Sequence, residues 1–456
     1  MELYKDWFEK NRERIISDYI TYLKFPSVSA QKNHTEDTRA CANWVENYLK
    51  NLGFSTDQWI GSEGGIGHPT IFGVKGDDAT KETLLFYGHY DVQPAEPLEL
   101  WKSPPFEPEI RDGKMYARGA EDNKGQCFYT LCAIEAFLDA HKTDPFNIKV
   151  VIEGEEEMGS KSLTESLPQH KKDLKADYLF VVDSGMGSLE KPSLTLGCRG
   201  VMTMEVKCVN MDTDGHSGHY GGIAYNPIRA LIDVLSQVID RRGKVTIPGF
   251  YDDLQELSAE EKKKLDLSFD PETHRKEVGI RTFHKEEGFN PTEVSYLRPV
   301  FEINGISGGY SGEGFKTVLP KEVIAKLSCR IVPNQDAKKI YHQVVQFIKE
   351  RMPKEMDVIF HYHGGGPAAW SDPSSKSVKI VAEAYKEIFG QCGFIYTGGS
   401  IPITSALVEA SGAEAVCMGM GLDRDNIHAP NENFGLDQFE KGFLLITKTL
   451  ELFILT

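Results

Sequence analysis

The sequence has no C-x-x-C pair. Its eight cysteines stand apart, at positions 41, 127, 132, 198, 208, 329, 392 and 417, and give no sign of a disulfide framework. In a chain of this size they are expected to be reduced thiols, mostly buried. There is no apolar run long enough to span a bilayer. The opening stretch, MELYKDWFEKNRERIISDYITYLKFPSVSA, lacks the short uncharged apolar block of a secretory signal. These absences predict a cytoplasmic protein. Positive charge is scarce: 51 lysines and arginines against 68 aspartates and glutamates leave a formal net charge of −17. Such a surface repels phosphate backbones and anionic lipid, so no nucleic acid and no membrane is expected as a partner. Internal repeats and low-complexity tracts are missing too.

What is present is ordinary for a globular chain. Of the 456 residues, 40% are hydrophobic and 26% charged, enough for an ample core in two or three domains. The first 30 residues read as an amphipathic helix, with Leu3, Trp7, Ile15, Tyr19 and Leu23 at helical spacings, stopped before Pro26. Beyond it, strand-like TLLFYGHYDV, NIKVVIEGEE and DYLFVVDSG alternate with helical GQCFYTLCAIEAFLDAH. This alternation predicts an α/β domain with a mixed, mostly parallel sheet flanked by helices. From residue 198 the pattern changes. VMTMEVKCVN, a helix from Asn226 to about Asp240, VIAKLSCRIVP, DAKKIYHQVVQFIKERM and MDVIFHYH read as an α+β module. SAEEKKKLDLSFDPETHRKE reads as an irregular solvated excursion and GGGPAAW as a linker. The expected organisation is a discontinuous domain, 1–197 and 367–456, interrupted by a module at 198–366.

LLFYGHYDVQP sets His89 and Asp91 two apart at the end of an apolar strand, and residues i and i+2 share a face. Four further signals fall where a parallel sheet gathers its chemistry, at strand ends. Asp122 lies in RGAEDNKG ahead of a helix; Glu156 and Glu157 follow a strand in EGEEEMGS; Asp183 ends LFVVDSG; His428 lies in DNIHAPNE. Singly, each has a plain structural reading: a helix cap, a solvated rim, a turn residue. Together, His89, Asp122, Glu157, Asp183 and His428 suit two divalent ions sharing one carboxylate. Imidazole and carboxylate without thiolate fit zinc first and manganese second. Asp91 would accept the other ring N–H of His89. Glu156, with a bend at the strand end, would serve the same site as a general base.

The motifs YGHYDVQP, RGAEDNKG, EGEEEMGS, DGHSGHYGG, CRIVPN, TGGSIPIT and NIHAPNE resemble, in order, the di-metal peptidase family of carnosine dipeptidases, aminoacylases and glutamate carboxypeptidases. The cytosolic dipeptidase branch is the most similar. The resemblance implies two metal ions per subunit, a catalytic domain, and a lid domain that also makes a homodimer. It implies Asp122 as the bridge, Glu157 and His428 on one ion, and His89 and Asp183 on the other. Glu156 is then the base, supported by Asp91. His216 stabilises the oxyanion, typically in the partner's active site; the plain alternative is a histidine capping a loop of its own lid. Thr317, Arg330 and Ser400 match substrate-holding positions, with Arg330 the anchor for a free carboxylate. His363 either lines the site or is a hinge residue. Asn123 replaces an aspartate common in relatives, and the Asp122–Asn123 peptide is expected to be cis. The implied reaction is metal-dependent hydrolysis of small peptides with a free C-terminal carboxylate; the alternative is deacylation of N-acyl amino acids. A metal-stabilised binding protein without catalysis is disfavoured, because Glu156 and all five ligand positions are filled.

Overall fold

In the computed structural model, every residue is described except 62–66, 142, 255, 264, 266, 398–402 and 456. The chain divides into two compact units. One comprises residues 1–196, 371–395 and 403–456; the other comprises 197–370 and 396–402.

The first unit is built on a mixed sheet. Strands Asn147–Glu153, Thr83–His89, Tyr178–Val182 and Glu414–Met418 lie side by side and parallel. Ser55–Trp59 and Thr70–Lys75 extend it antiparallel beyond Asn147–Glu153. The parallel strands carry Val, Leu, Ile and Phe on both faces and are buried almost throughout, as expected where helices cover both sides. Helix Lys124–Ala140 is nearly all apolar and buried. The C-terminal helix Leu436–Ile454 meets it through aromatic rings: Phe439 packs edge-on to Tyr129 at 5.9 Å, and also touches Phe128 and Tyr19. The N-terminal helix spans Glu2–Leu23 and buries Ile15, Tyr19 and Leu23 of the expected face, but in its first two turns the buried positions are shifted by one residue. Leu3 is 60% exposed, while Tyr4 and Phe8 are buried with Ile15, Tyr19, Tyr22 and Leu23. Phe8 packs on Phe443 at 5.0 Å. All eight cysteines are thiols, and seven are buried.

The second unit holds a four-stranded antiparallel sheet in the order Val300–Gly308, Glu322–Ile331, Gly200–Val209, Asp357–Gly366. Strict alternation along Gly200–Val209 puts Met202, Met204, Val206 and Cys208 on one face. That face packs under helices Pro227–Leu235 and Ala337–Arg351 through Leu231, Val234, Val344 and Phe347. Three sequence readings are corrected here. The helix after Asn226 stops at Leu235 rather than near Asp240. The charged excursion forms two short exposed helices, Ala259–Lys263 and Pro271–Val278. The second opens with Pro271 and is capped by Asp270, which accepts from the Glu272 N–H. GGGPAAW is no linker: Gly364–Gly366 continue a strand paired with Val201–Thr203, and Ala369–Trp370 form another.

Candidate metal centre

The first unit gathers five of the expected side chains at the ends of its parallel strands. His89 is the last residue of its strand, Asp183 directly follows Val182, and Asp122 sits just ahead of helix Lys124–Ala140. The Asp122–Asn123 peptide is cis. His89, Asp122 and Asp183 offer ligand atoms within 4.8 Å of one another, and so do Asp122, Glu157 and His428. Asp122 belongs to both groups: Oδ1 lies 3.2 Å from His89 Nε2, and Oδ2 lies 2.8 Å from His428 Nε2. His89 Nε2 is also 3.6 Å from Asp183 Oδ1, and His428 Nε2 is 3.3 Å from Glu157 Oε1.

The surroundings hold these groups in place. Asn123 donates to Asp183 Oδ1 (2.8 Å) and accepts from the His89 N–H (3.2 Å). Gln93 donates to Glu157 Oε2 at 2.7 Å. Asp91 does more than expected for His89 and differs in how it does it. The imidazole Nδ1 points at the Asp91 main-chain carbonyl (3.0 Å), with the carboxylate slightly farther, at 3.3 Å. The carboxylate instead accepts from the Ser29 hydroxyl (2.6 Å) and from the N–H groups of Glu156 (3.1 Å) and Glu157 (3.2 Å). Glu156 and Glu157 share a site because they lie on a single 3₁₀ turn, Glu156–Met158, rather than on a bent strand end. Glu155 points away and ties that turn down, accepting from His68 N–H and Ser162 N–H, each at 2.8 Å. Gly154 is required there, since a Cβ would lie 2.2 Å from the Tyr90 hydroxyl.

The electrostatics identify what the cluster wants. Burial pushes Glu156 well above the usual carboxylate range; His89 opposes this, while Asp183, Glu157 and Asp122 add to it. Burial also raises Glu157 and Asp183. Burial would raise Asp122 as well, but hydrogen bonds from His428 and His89 hold it below the usual range. Hydrogen bonds to Asp122 and Glu157 push His428 up to about 10. Burial would lower His89, yet the charge of Asp183 and its hydrogen bonds lift it well above the imidazole norm. The crowded carboxylates thus favour the charged form of both imidazoles. Glu157 Oε1 is buried and meets His428 Nε2 at 3.3 Å. Two ligand atoms ~2.1 Å from one ion at a tetrahedral angle lie about 3.4 Å apart, close to the spacings seen. The donor set fits divalent ions.

A pH dependence follows. The folded pKa of His428, about 10, lies above the ordinary 6.5, so its contribution to stability is complete below pH 6.5 and is lost as pH rises toward 10. His89 acts in the same direction. The metal-free protein should melt at lower temperature as pH rises through that window. Zinc added at pH 8 should raise the melting temperature more than zinc added at pH 6, because fewer protons compete for the imidazoles. A flat pH profile with equal zinc effects would show that these imidazoles do not carry the protons.

His216, Thr317, Arg330 and His363 lie in the second unit. His216 is exposed, and its Nδ1 accepts from the Gly218 N–H at 3.0 Å, capping a short helix, Ser217–Tyr220. The Thr317 carbonyl accepts from the Ser217 N–H (3.0 Å). Arg330 is half-buried on strand Glu322–Ile331, opposite Val201 and Val300. His363 Nε2 lies 4.0 Å from Glu205. Ser400 lies outside the described residues. The supporting roles of Ser29, Gln93 and Glu432 had no signal in spacing alone, although Glu432 stands inside the NIHAPNE motif.

The family model for peptidase family M20/M25/M40 matches residues 85–452. The chain belongs to this family. It is 31% identical over 458 residues to the Cys-Gly metallodipeptidase DUG1 of Candida albicans, covering 96% of this chain and 94% of that one. It is 32% identical over 385 residues to the human Beta-Ala-His dipeptidase, covering 82% and 75%. Among solved structures, the M20 family metallo-carboxypeptidase Sso-CP2 from Sulfolobus solfataricus superimposes with a TM-score of 0.87 at 30% identity, covering 97% of this chain and 99% of that one. Human carnosine dipeptidase 1 gives 0.81 at 27% identity, with both chains covered in full. These M20 neighbours fix the two-domain α/β architecture.

Proposed function

We propose that the chain hydrolyses dipeptides or short peptides with a free C-terminal carboxylate. The observation that carries this is the pair of ligand groups sharing Asp122 beside Glu156, in a family whose curated relatives include Cys-Gly and Beta-Ala-His dipeptidases. His89, Asp122 and Asp183 would hold one ion and Asp122, Glu157 and His428 the other, zinc first and manganese second. When bound, such ions polarise the scissile carbonyl and acidify the attacking water. Glu156 takes the water proton as the oxygen adds to the carbonyl carbon, then returns a proton to the amine nitrogen as the C–N bond breaks. Asp91 sets the height of Glu156 through the Glu156 N–H.

Arg330 anchors the substrate carboxylate, and Thr317, Ser400 and His363 also serve substrate binding. His216 acts on the oxyanion. Its Nδ1 is an acceptor, so in the neutral ring the proton sits on Nε2, ready to donate. The second unit is the lid, and it carries the homodimer contact. Edge strand Val300–Gly308 leaves Ile303 and Ile306 about half exposed, an unpaired edge suited to a second copy. Sedimentation showing a monomer at micromolar concentration would reject the dimer. Eight cysteine thiols support a reducing, cytoplasmic location.

The deacylase alternative is not favoured by the dipeptidase relatives. Paired assays decide. Dipeptides with a free amine should be cleaved in zinc or manganese, and their N-acetylated forms poorly. Faster cleavage of the acetylated forms, or no metal dependence, would overturn the reading.

A further inference from the structure

Glu432 lies four residues beyond His428 and belongs to neither ligand group. Its carboxylate is fully buried. Oε1 accepts from the N–H groups of Glu121 (3.0 Å) and Asp122 (3.1 Å). Oε2 accepts from the Gly119 N–H and from the Arg118 guanidinium, each at 2.8 Å. Strand pairing delivers it there: Asn433–Gly435 runs antiparallel to Lys114–Tyr116, with Asn433 opposite Tyr116. Arg118 is buried as well, and its other arm donates to the Pro94 carbonyl at 3.1 Å.

A buried carboxylate is tolerated only when donors meet it, and this one has four. The benefit runs the other way too. Residues 117–122 lie between a strand that ends at Tyr116 and a helix that begins at Lys124. Backbone donors in such a stretch need an acceptor; those of Gly119, Glu121 and Asp122 find it in Glu432. Asp122 is therefore gripped from both ends by one short segment. His428 holds its carboxylate and Glu432 holds its main chain. The segment itself is pinned in between: Asn431 accepts from the Lys102 N–H and donates to the Leu100 carbonyl, both at 2.8 Å.

We propose that Glu432 is the positioning residue for the shared carboxylate Asp122, so that both ligand groups depend on it although its own oxygens are taken up by four donors. The inference rests on the reading of Asp122 as the shared ligand. Glu432→Gln preserves shape but turns an NH₂ toward groups that are all donors. Arg118→Lys keeps the carboxylate, its three backbone donors and a cation. Zinc affinity of the full chain is measured by competition with a chromophoric chelator, alongside circular dichroism and the kcat and KM for a dipeptide. Glu432→Gln should keep the wild-type spectrum and lose about 10–100-fold in zinc affinity, with kcat falling and KM little changed at saturating zinc. Arg118→Lys should lose less. A Glu432→Gln protein that melts earlier but binds zinc like wild type would show a structural buttress and overturn the proposal. If Glu432→Gln does not fold, Glu432→Asp decides, because it keeps the charge but withdraws the carboxylate from the Asp122 N–H: wild-type zinc affinity there overturns the proposal, and failure of both to fold makes Glu432 a determinant of the fold instead. A wild-type protein that binds no zinc would remove the reading of Asp122 itself, a different failure from variants that bind as well as wild type.

Discussion

Glu156→Gln should lower turnover of a dipeptide by about 10²–10⁴-fold, the usual contribution of a general base, with zinc content unchanged. The structure separates those two effects. The Glu156 N–H is held by Asp91 Oδ1, and glutamine leaves that main-chain bond intact. Glu157 is held independently by Asp91 Oδ2 and Gln93, so the ligand group should survive. What glutamine removes is the ability to take and return a proton. A loss of about 10³-fold corresponds to roughly 4 kcal/mol of barrier, more than loss of one neutral hydrogen bond could produce. Metal analysis and steady-state kinetics on the same preparation check it. Activity within a few-fold of wild type would make Glu156 a rim carboxylate, and joint loss of zinc and activity would make it a ligand.

The parts of this molecule that could be read from sequence are those governed by neighbours in the chain. His89 and Asp183 close apolar strands, and parallel sheets gather polar groups at those ends. The convergence of five side chains was legible for that reason. The supporting bonds were not. Asp91 was read through its spacing to His89, but its carboxylate is directed at Ser29 and at a turn some 65 residues later, a partner that no local period encodes. Glu432 meets Gly119 and Asp122 across more than 300 residues. The same limit explains GGGPAAW. Three glycines suggest a linker, yet their ladder partners are Val201–Thr203, far upstream. In the N-terminal helix the ambiguity was of phase. Ile15, Tyr19 and Leu23 are buried as their spacing suggests, but in the first turns Tyr4 and Phe8 are buried instead of Leu3, with Phe8 packed on Phe443 from the far end of the chain.

Asp122→Ala should empty both ion positions at once, whereas His428→Ala should empty one. This contrast follows from how the oxygens are shared. Asp122 Oδ1 faces His89, which also meets Asp183, while Oδ2 faces His428, which also meets Glu157. Removing His428 takes one ligand from the second group and leaves His89, Asp122 and Asp183 complete. Removing Asp122 leaves each group with one imidazole and one carboxylate, too few to hold zinc tightly against water. Zinc per chain, measured after dialysis against submicromolar free zinc, should read about two, one and none for wild type, His428→Ala and Asp122→Ala. Turnover should vanish with Asp122→Ala, because both the polarised carbonyl and the acidified water are lost together. The Asp122 main chain remains fastened to Glu432, so circular dichroism should report a folded protein. One zinc retained by Asp122→Ala would show that the two groups are independent sites with no shared carboxylate.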